Sequence, residues 1–91
     1  MNYHYPIDET WTKEEITDVV NFFTMIEKAY ENNVKAADVM LAYHRFKQIV
    51  PSKSEEKRLF AEFKKASGYA SYQVVKQAKA TNGTVTIQKG G

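Results

Sequence analysis

The chain has no cysteine, two prolines, four glycines and one tryptophan among its 91 residues. Without cysteine there is no disulfide framework, no thiolate nucleophile and no Cys-based zinc or iron–sulfur centre. Three of the four glycines fall in the last nine residues, which leaves little flexible backbone to cradle a phosphate. Glycine-rich phosphate loops, the metalloprotease helix motif, the EF-hand loop and the nucleophile elbow are all missing. No apolar run approaches membrane-spanning length. Asp8 and Glu9 precede any lysine, so no signal peptide is expected and a cytoplasmic location is. Asn82-Gly83-Thr84 has the form of a glycosylation acceptor, but without a secretion signal it reads as a turn.

Acidic residues are also missing from one end, with none after Glu62. Residues 1–31 carry seven acids against two lysines, and residues 32–91 carry eleven basic residues against four acids. The formal charge of +2 therefore conceals an acidic front and a basic back. Such a field steers polyanions, acidic protein surfaces or a second copy of the chain, or it is spent between the two blocks within one molecule.

A chain of this length makes one domain. Apolar periodicity makes it all-α, a compact three- to four-helix bundle over residues 1–80 followed by a flexible, weakly ordered tail over 81–91. Residues 1–11 are aromatic and turn-like. Thr12 is placed as a helix N-cap with Glu15 completing a capping box, and Trp11 is placed to pack on Ile16. The first helix is expected from Lys13 to Tyr30, burying Ile16, Val19, Val20, Phe23, Ile26 and Tyr30, with Phe22 and Ala29 on one flank. Asn32-Asn33 ends it. The second runs from Ala36 to Ile49, burying Val39, Ala42, Tyr43, Phe46 and Val50 and leaving Leu41 outside, and Pro51 stops it. Ser52 and Glu55 repeat the capping pattern at the head of a third helix, Lys53 to Ala66, which turns in Leu59, Phe60, Phe63 and Ala66 and ends on Gly68. A short fourth helix, Ala70 to Ala80, buries Val74, Val75 and Ala78 and leaves Tyr72 on its other side. Asn82-Gly83 before Thr84-Val85-Thr86-Ile87 suggests a hairpin, but its flanks are too short and polar to stand alone, so a frayed end is expected.

Groups with chemical potential are few. Glu14 and Asp18, and Glu27 and Glu31, lie one turn apart on the first helix, a spacing at which carboxylates share a cation in helical bundles. Neither His4 nor His44 has a glutamate three residues before it, as such bundle sites use, so these acids read as solvated surface. His44 lies off the centre of the apolar stripe and reads as a boundary residue without an orienting partner for base catalysis. No catalytic residue, metal ligand or cofactor site is assigned, and the protein reads as a non-enzyme.

The segment from Phe63 to Lys76 carries the most functional character. It has the outline of a helix-turn-helix, with Gly68 in the turn, Ser71, Tyr72, Gln73 and Lys76 available to bases, and Lys64, Lys65, Lys76 and Lys79 available to phosphates. Lys64 stands where a small residue normally lets the helices approach, and Gln77 where an apolar residue normally anchors the second helix. The same residues alternatively form a protein-binding patch of Tyr69, Tyr72, Lys65 and Lys76, or the two tyrosines simply close the bundle.

Several blocks occur in order: Pro6-Ile7-Asp8 with Trp11, Glu14-Glu15-Ile16, Asn21-Phe22-Phe23, Glu27-Lys28-Ala29-Tyr30-Glu31, Ala42-Tyr43, Arg45-Phe46-Lys47, Ile49-Val50-Pro51-Ser52-Lys53, Glu55-Glu56-Lys57, and Ser67-Gly68-Tyr69 with Tyr72. Over residues 3–79 they resemble the uncharacterised protein family numbered 0223, the YktA-like small cytosolic proteins of Bacillus, Listeria, Staphylococcus and their relatives. The resemblance implies a compact all-helical domain and assigns no activity, cofactor or catalytic residue. The tail from Thr81 onward departs from the pattern, and nothing is carried onto it. The expectation is a small non-catalytic protein acting through a protein partner or a second copy of itself, with weak nucleic-acid binding through Lys64, Lys65, Lys76 and Lys79 as the alternative and no membrane role.

Overall fold

The computed structural model describes residues 5–87. Four helices form the bundle: α1 (Lys13–Glu31), α2 (Ala36–Ile49), α3 (Lys53–Ser67) and α4 (Ser71–Ala80). Two short strands, β1 (Val34–Lys35) and β2 (Thr84–Val85), pair antiparallel beside them. Among the described residues no helix is long and apolar enough to cross a membrane.

Local chemistry sets the helix starts. The Thr12 hydroxyl accepts from the Glu15 backbone N–H at 3.1 Å, while the Glu15 carboxylate accepts from the Thr12 N–H at 2.9 Å, so two orphan donors are satisfied reciprocally. At α3 only half of this device forms. Ser52 caps the Glu55 N–H, but the Glu55 carboxylate turns to Arg58 at 2.9 Å. Gly68 ends α3 at φ 83°, the left-handed region that a side chain disfavours.

The α1 face that reaches the core is Val19, Phe22, Phe23, Ile26 and Ala29. Phe22 lies at its centre rather than its flank, and Val20 is only half-buried. Phe22 stacks 4.8 Å from Phe46 of α2, and Phe23 sits 4.5 Å from Phe63 of α3, so one aromatic pair from α1 joins three helices. Each such ring buries enough apolar area to contribute about 2–3 kcal/mol. On α3, Ser67 rather than Ala66 faces inward. Its hydroxyl donates to the Phe63 carbonyl and accepts the Tyr69 N–H, which lets a polar residue occupy the turn into α4 without an unpaired group.

The packed unit reaches Ile87, further than the boundary expected at residue 80. Val34 pairs with Val85 and Lys35 with Thr84. Gly83 contributes its carbonyl to the Ala36 N–H at 2.9 Å, and the Ile87 N–H donates to the Ala29 carbonyl at 2.8 Å. These are orphan groups at the start of α2 and the end of α1, and α2 has no side-chain cap of its own. The segment thus clips two helix ends together, with Val85 and Ile87 buried over the joint. Asn82-Gly83 makes no hairpin, because its strand pairs with the α1–α2 connection 50 residues earlier. Residues 88–91, the rest of the expected tail, lie outside the described residues.

Candidate functional site

The start of α4 decides the fate of the two tyrosines. Tyr69 precedes the helix and points inward, 2% exposed, stacked 4.6 Å from Tyr30, with its hydroxyl 2.6 Å from the Glu31 carboxylate. That hydrogen bond, followed by desolvation, pushes its pKa up to about 12. The Tyr30 hydroxyl in turn accepts the Ala70 N–H at 3.1 Å. Tyr69 is therefore withdrawn from the expected partner patch: it is a core residue that anchors α4 to α1. Tyr72, one turn on, is 62% exposed.

Tyr72 forms one wall of a groove of about 480 Å³ between α2, α3 and α4. Tyr43 and Phe60 supply its apolar floor, and Lys53, Lys57 and Lys79 its rim. Helical spacing explains the grouping. Lys53, Lys57, Phe60 and Lys64 recur at i, i+4, i+7 and i+11 on α3, and Tyr72, Lys76 and Lys79 at i, i+4 and i+7 on α4, so each set shares a face. The α3 acids Glu55 and Glu62 lie on another face, where both bind Arg58. Lys79 holds its ammonium 5.5 Å from the Tyr43 ring centroid, a cation–π contact that places charge over the floor.

One acid lies in the groove. Glu56 is buried, accepting from Lys47 Nζ at 2.6 Å and from the Tyr43 hydroxyl at 2.9 Å. Its charge is thereby matched within the protein, as a carboxylate removed from water requires. Desolvation, then the hydrogen bond to Glu56, pushes the Tyr43 pKa up to about 12.

Of the sequence-assigned lysines, Lys79 lines the groove, while Lys76 and Lys64 extend its two faces. Lys65 is exposed but turned about 100° from the Lys64 face. The helix-turn-helix reading loses Ser71 as a base contact, because it is buried at 1% exposure. The sequence assigns Tyr43 and Phe60 only to the core, and Lys53 and Lys57 to no site. The lysine spacing along α3 was the available signal for them.

Of the four paired acids of α1, Glu14 is exposed as expected, while the other three are engaged rather than simply solvated. Asp18 pairs with Arg45 at 2.7 Å, Glu27 accepts from the Tyr5 hydroxyl at 2.6 Å, and Glu31 accepts from Tyr69. Burial, with Glu31 nearby, raises the Glu27 pKa. Among the described residues no three His, Asp or Glu side chains gather as metal ligands, and His4 lies outside them. His44 is exposed beside a shallow cleft with Met40, Ala78, Lys79 and Asn82, and has no hydrogen bond to another described residue.

A four-helix, all-α protein with a lysine-rimmed aromatic groove and no catalytic cluster among its described residues is the class this geometry defines. The profile of the Uncharacterised protein family (UPF0223) matches residues 2–87. A UPF0223 protein of Oceanobacillus iheyensis is 65% identical over 82 residues, which cover 90% of this chain and 93% of the relative. A relative from Lysinibacillus sphaericus is 55% identical over 86 residues, covering 93% and 90%, and one from Staphylococcus aureus Newman is 54% identical over 79 residues, covering 87% of each. The chain belongs to the UPF0223 family.

Proposed function

We propose that this protein is a non-catalytic binding module that acts through contact with a protein partner, and that the groove between α3 and α4 is its contact surface. The observation that carries this reading is Tyr72. An exposed tyrosine beside half-buried Phe60 and Tyr43 supplies the rigid, amphipathic area that interface centres favour. The opposite kind of tyrosine, buried and fully bonded, stands three residues earlier at Tyr69 and explains itself by stability alone.

The test is affinity capture of the tagged chain from a lysate of its host, with and without nuclease and at two salt concentrations, run beside Tyr72→Ser. A stoichiometric protein that survives nuclease and is lost with Tyr72→Ser supports the module. Retention of nucleic acid alone, released by salt, would instead support the reading through Lys64, Lys76 and Lys79. That second reading draws on the same lysine-bearing faces, but the groove's apolar floor and its carboxylate favour protein.

A further inference from the structure

The groove also restricts the chemistry of its occupant, an inference that rests on the protein-contact reading above. We propose that it receives an acidic segment of a partner protein, seating one aromatic or large aliphatic side chain on Tyr43, Phe60 and Tyr72 while carboxylates on either side of that residue meet Lys53, Lys57 and Lys79.

The rim lysines have no carboxylate in an ion pair among the described residues, and Lys79 leans on the Tyr43 ring alone. The ion pairs among the described residues engage Arg45, Lys47 and Arg58 instead. The one acid in the groove, Glu56, is matched by Lys47, so it does not neutralise the rim. Lys64 and Lys76 lengthen the positive field along both helix faces. An apolar floor under a cationic rim fits a ligand that is apolar at its centre and anionic at its flanks, since the rim speeds encounter and fixes register while the floor desolvates the anchor.

Two other occupants fit less well. A polynucleotide carries its charge continuously and favours arginine forks, whereas both arginines are committed to carboxylates within the fold: Arg45 to Asp18, and Arg58 to Glu55 and Glu62. A second copy docking by its acidic first helix would find Asp18, Glu27 and Glu31 already held by Arg45, Tyr5 and Tyr69, which leaves it Glu14 and the capping Glu15 at one end of that helix.

The experiment is an NMR titration of the full-length 15N-labelled chain with four probes. These are a synthetic peptide with one tryptophan flanked by glutamates, the same peptide with glutamines for glutamates, the same peptide with alanine for tryptophan, and a single-stranded oligothymidine of equal charge. Shift changes from the acidic peptide are expected around Lys57, Phe60, Tyr72 and Lys79. Its affinity should exceed that of each altered peptide by about tenfold, and Lys57→Glu and Tyr72→Ser should each weaken it to a similar degree. Both substituted side chains are exposed, and an unchanged thermal midpoint verifies the fold of each variant. Equal binding of the glutamine peptide overturns the acidic occupant and leaves the protein-contact reading standing. Tighter binding of oligothymidine overturns both. Shift changes centred on Leu41 and Met25, or none with any peptide, overturn the groove as the site of an acidic segment.

Discussion

Tyr69 and Tyr72 sit three residues apart in one basic stretch, yet the fold uses them oppositely. Tyr69 stacks on Tyr30, binds Glu31 and closes the joint between α1 and α4. Tyr72 lies exposed on the outer face of α4 and lines the groove. The difference arises at Gly68 and Ala70. The left-handed glycine turns the chain, and α4 begins after Tyr69, so the two rings do not share a helix face. Composition alone does not separate a tyrosine that holds a bundle together from one that offers a surface; the position of the helix start does.

Truncation of that contrast should give the largest effect. Tyr69→Ala removes a buried stacked ring and leaves Glu31 without the Tyr69 donor, so unfolding free energy should fall by about 3–4 kcal/mol, whereas Tyr72→Ala should change it by less than about 0.5 kcal/mol. Urea denaturation of both variants measures the gap, and equal losses would erase the distinction.

Next in size is the carboxylate under the groove. Lys47→Met leaves Glu56 buried with Tyr43 as its remaining named partner, and should cost about 2–3 kcal/mol. The double variant Lys47→Met with Glu56→Gln should recover part of that loss, because the uncompensated charge is then gone. Thermal melts of the single and double variants check this.

Alkaline pH sharpens the comparison further. Tyr43 and Tyr69 titrate near 12 in the folded state against an ordinary value of 10. A folded pKa raised above the unfolded one contributes stability that is complete below pH 10 and lost as pH rises towards 12. The loss should be about 1 kcal/mol for each, less than the full shift implies because Tyr43 is half-exposed and Glu31 is exposed. Tyr43→Phe and Tyr69→Phe should each flatten the alkaline limb of a stability–pH profile, and Tyr72→Phe should leave it unchanged.

The smallest effect concerns Glu27, whose raised pKa means that burial works against its charge. That strain is absent at acid pH and sets in as pH rises through the folded pKa. Glu27→Gln keeps an acceptor for Tyr5 and should be neutral or stabilising by about 0.5 kcal/mol at pH 7, with the advantage disappearing near pH 4.

Much of the fold was legible because its determinants are local. The Thr12–Glu15 capping box, the stop before Pro51, the left-handed Gly68 and the inward Val74, Val75 and Ala78 follow from residues within one or two turns. Long-range pairing was not legible. Thr84-Val85 looks too short and polar to order itself, and it is ordered by orphan groups at Ala29 and Ala36 that are hidden until α1 and α2 are placed. The prominence of Phe22 over Val20 likewise depends on which helices flank α1.

The groove is legible in the sequence only as separate helix faces. Tyr72, Lys76 and Lys79 were readable from helical spacing on α4, and Lys64 from its place on α3. The sequence leaves Tyr69 open between core and contact because its partners, Tyr30 and Glu31, lie about 40 residues away. Lys53 and Lys57 gain their meaning only when α3 lies beside α4 and the groove between them exists.

Tyrosine nitration read by mass spectrometry, on the free protein and on the protein retained with its captured partner, tests the central claim most directly. Tyr72 should be modified readily when free and protected when bound, while Tyr69 stays unmodified in both states. Equal modification of Tyr72 with and without the partner would contradict the account.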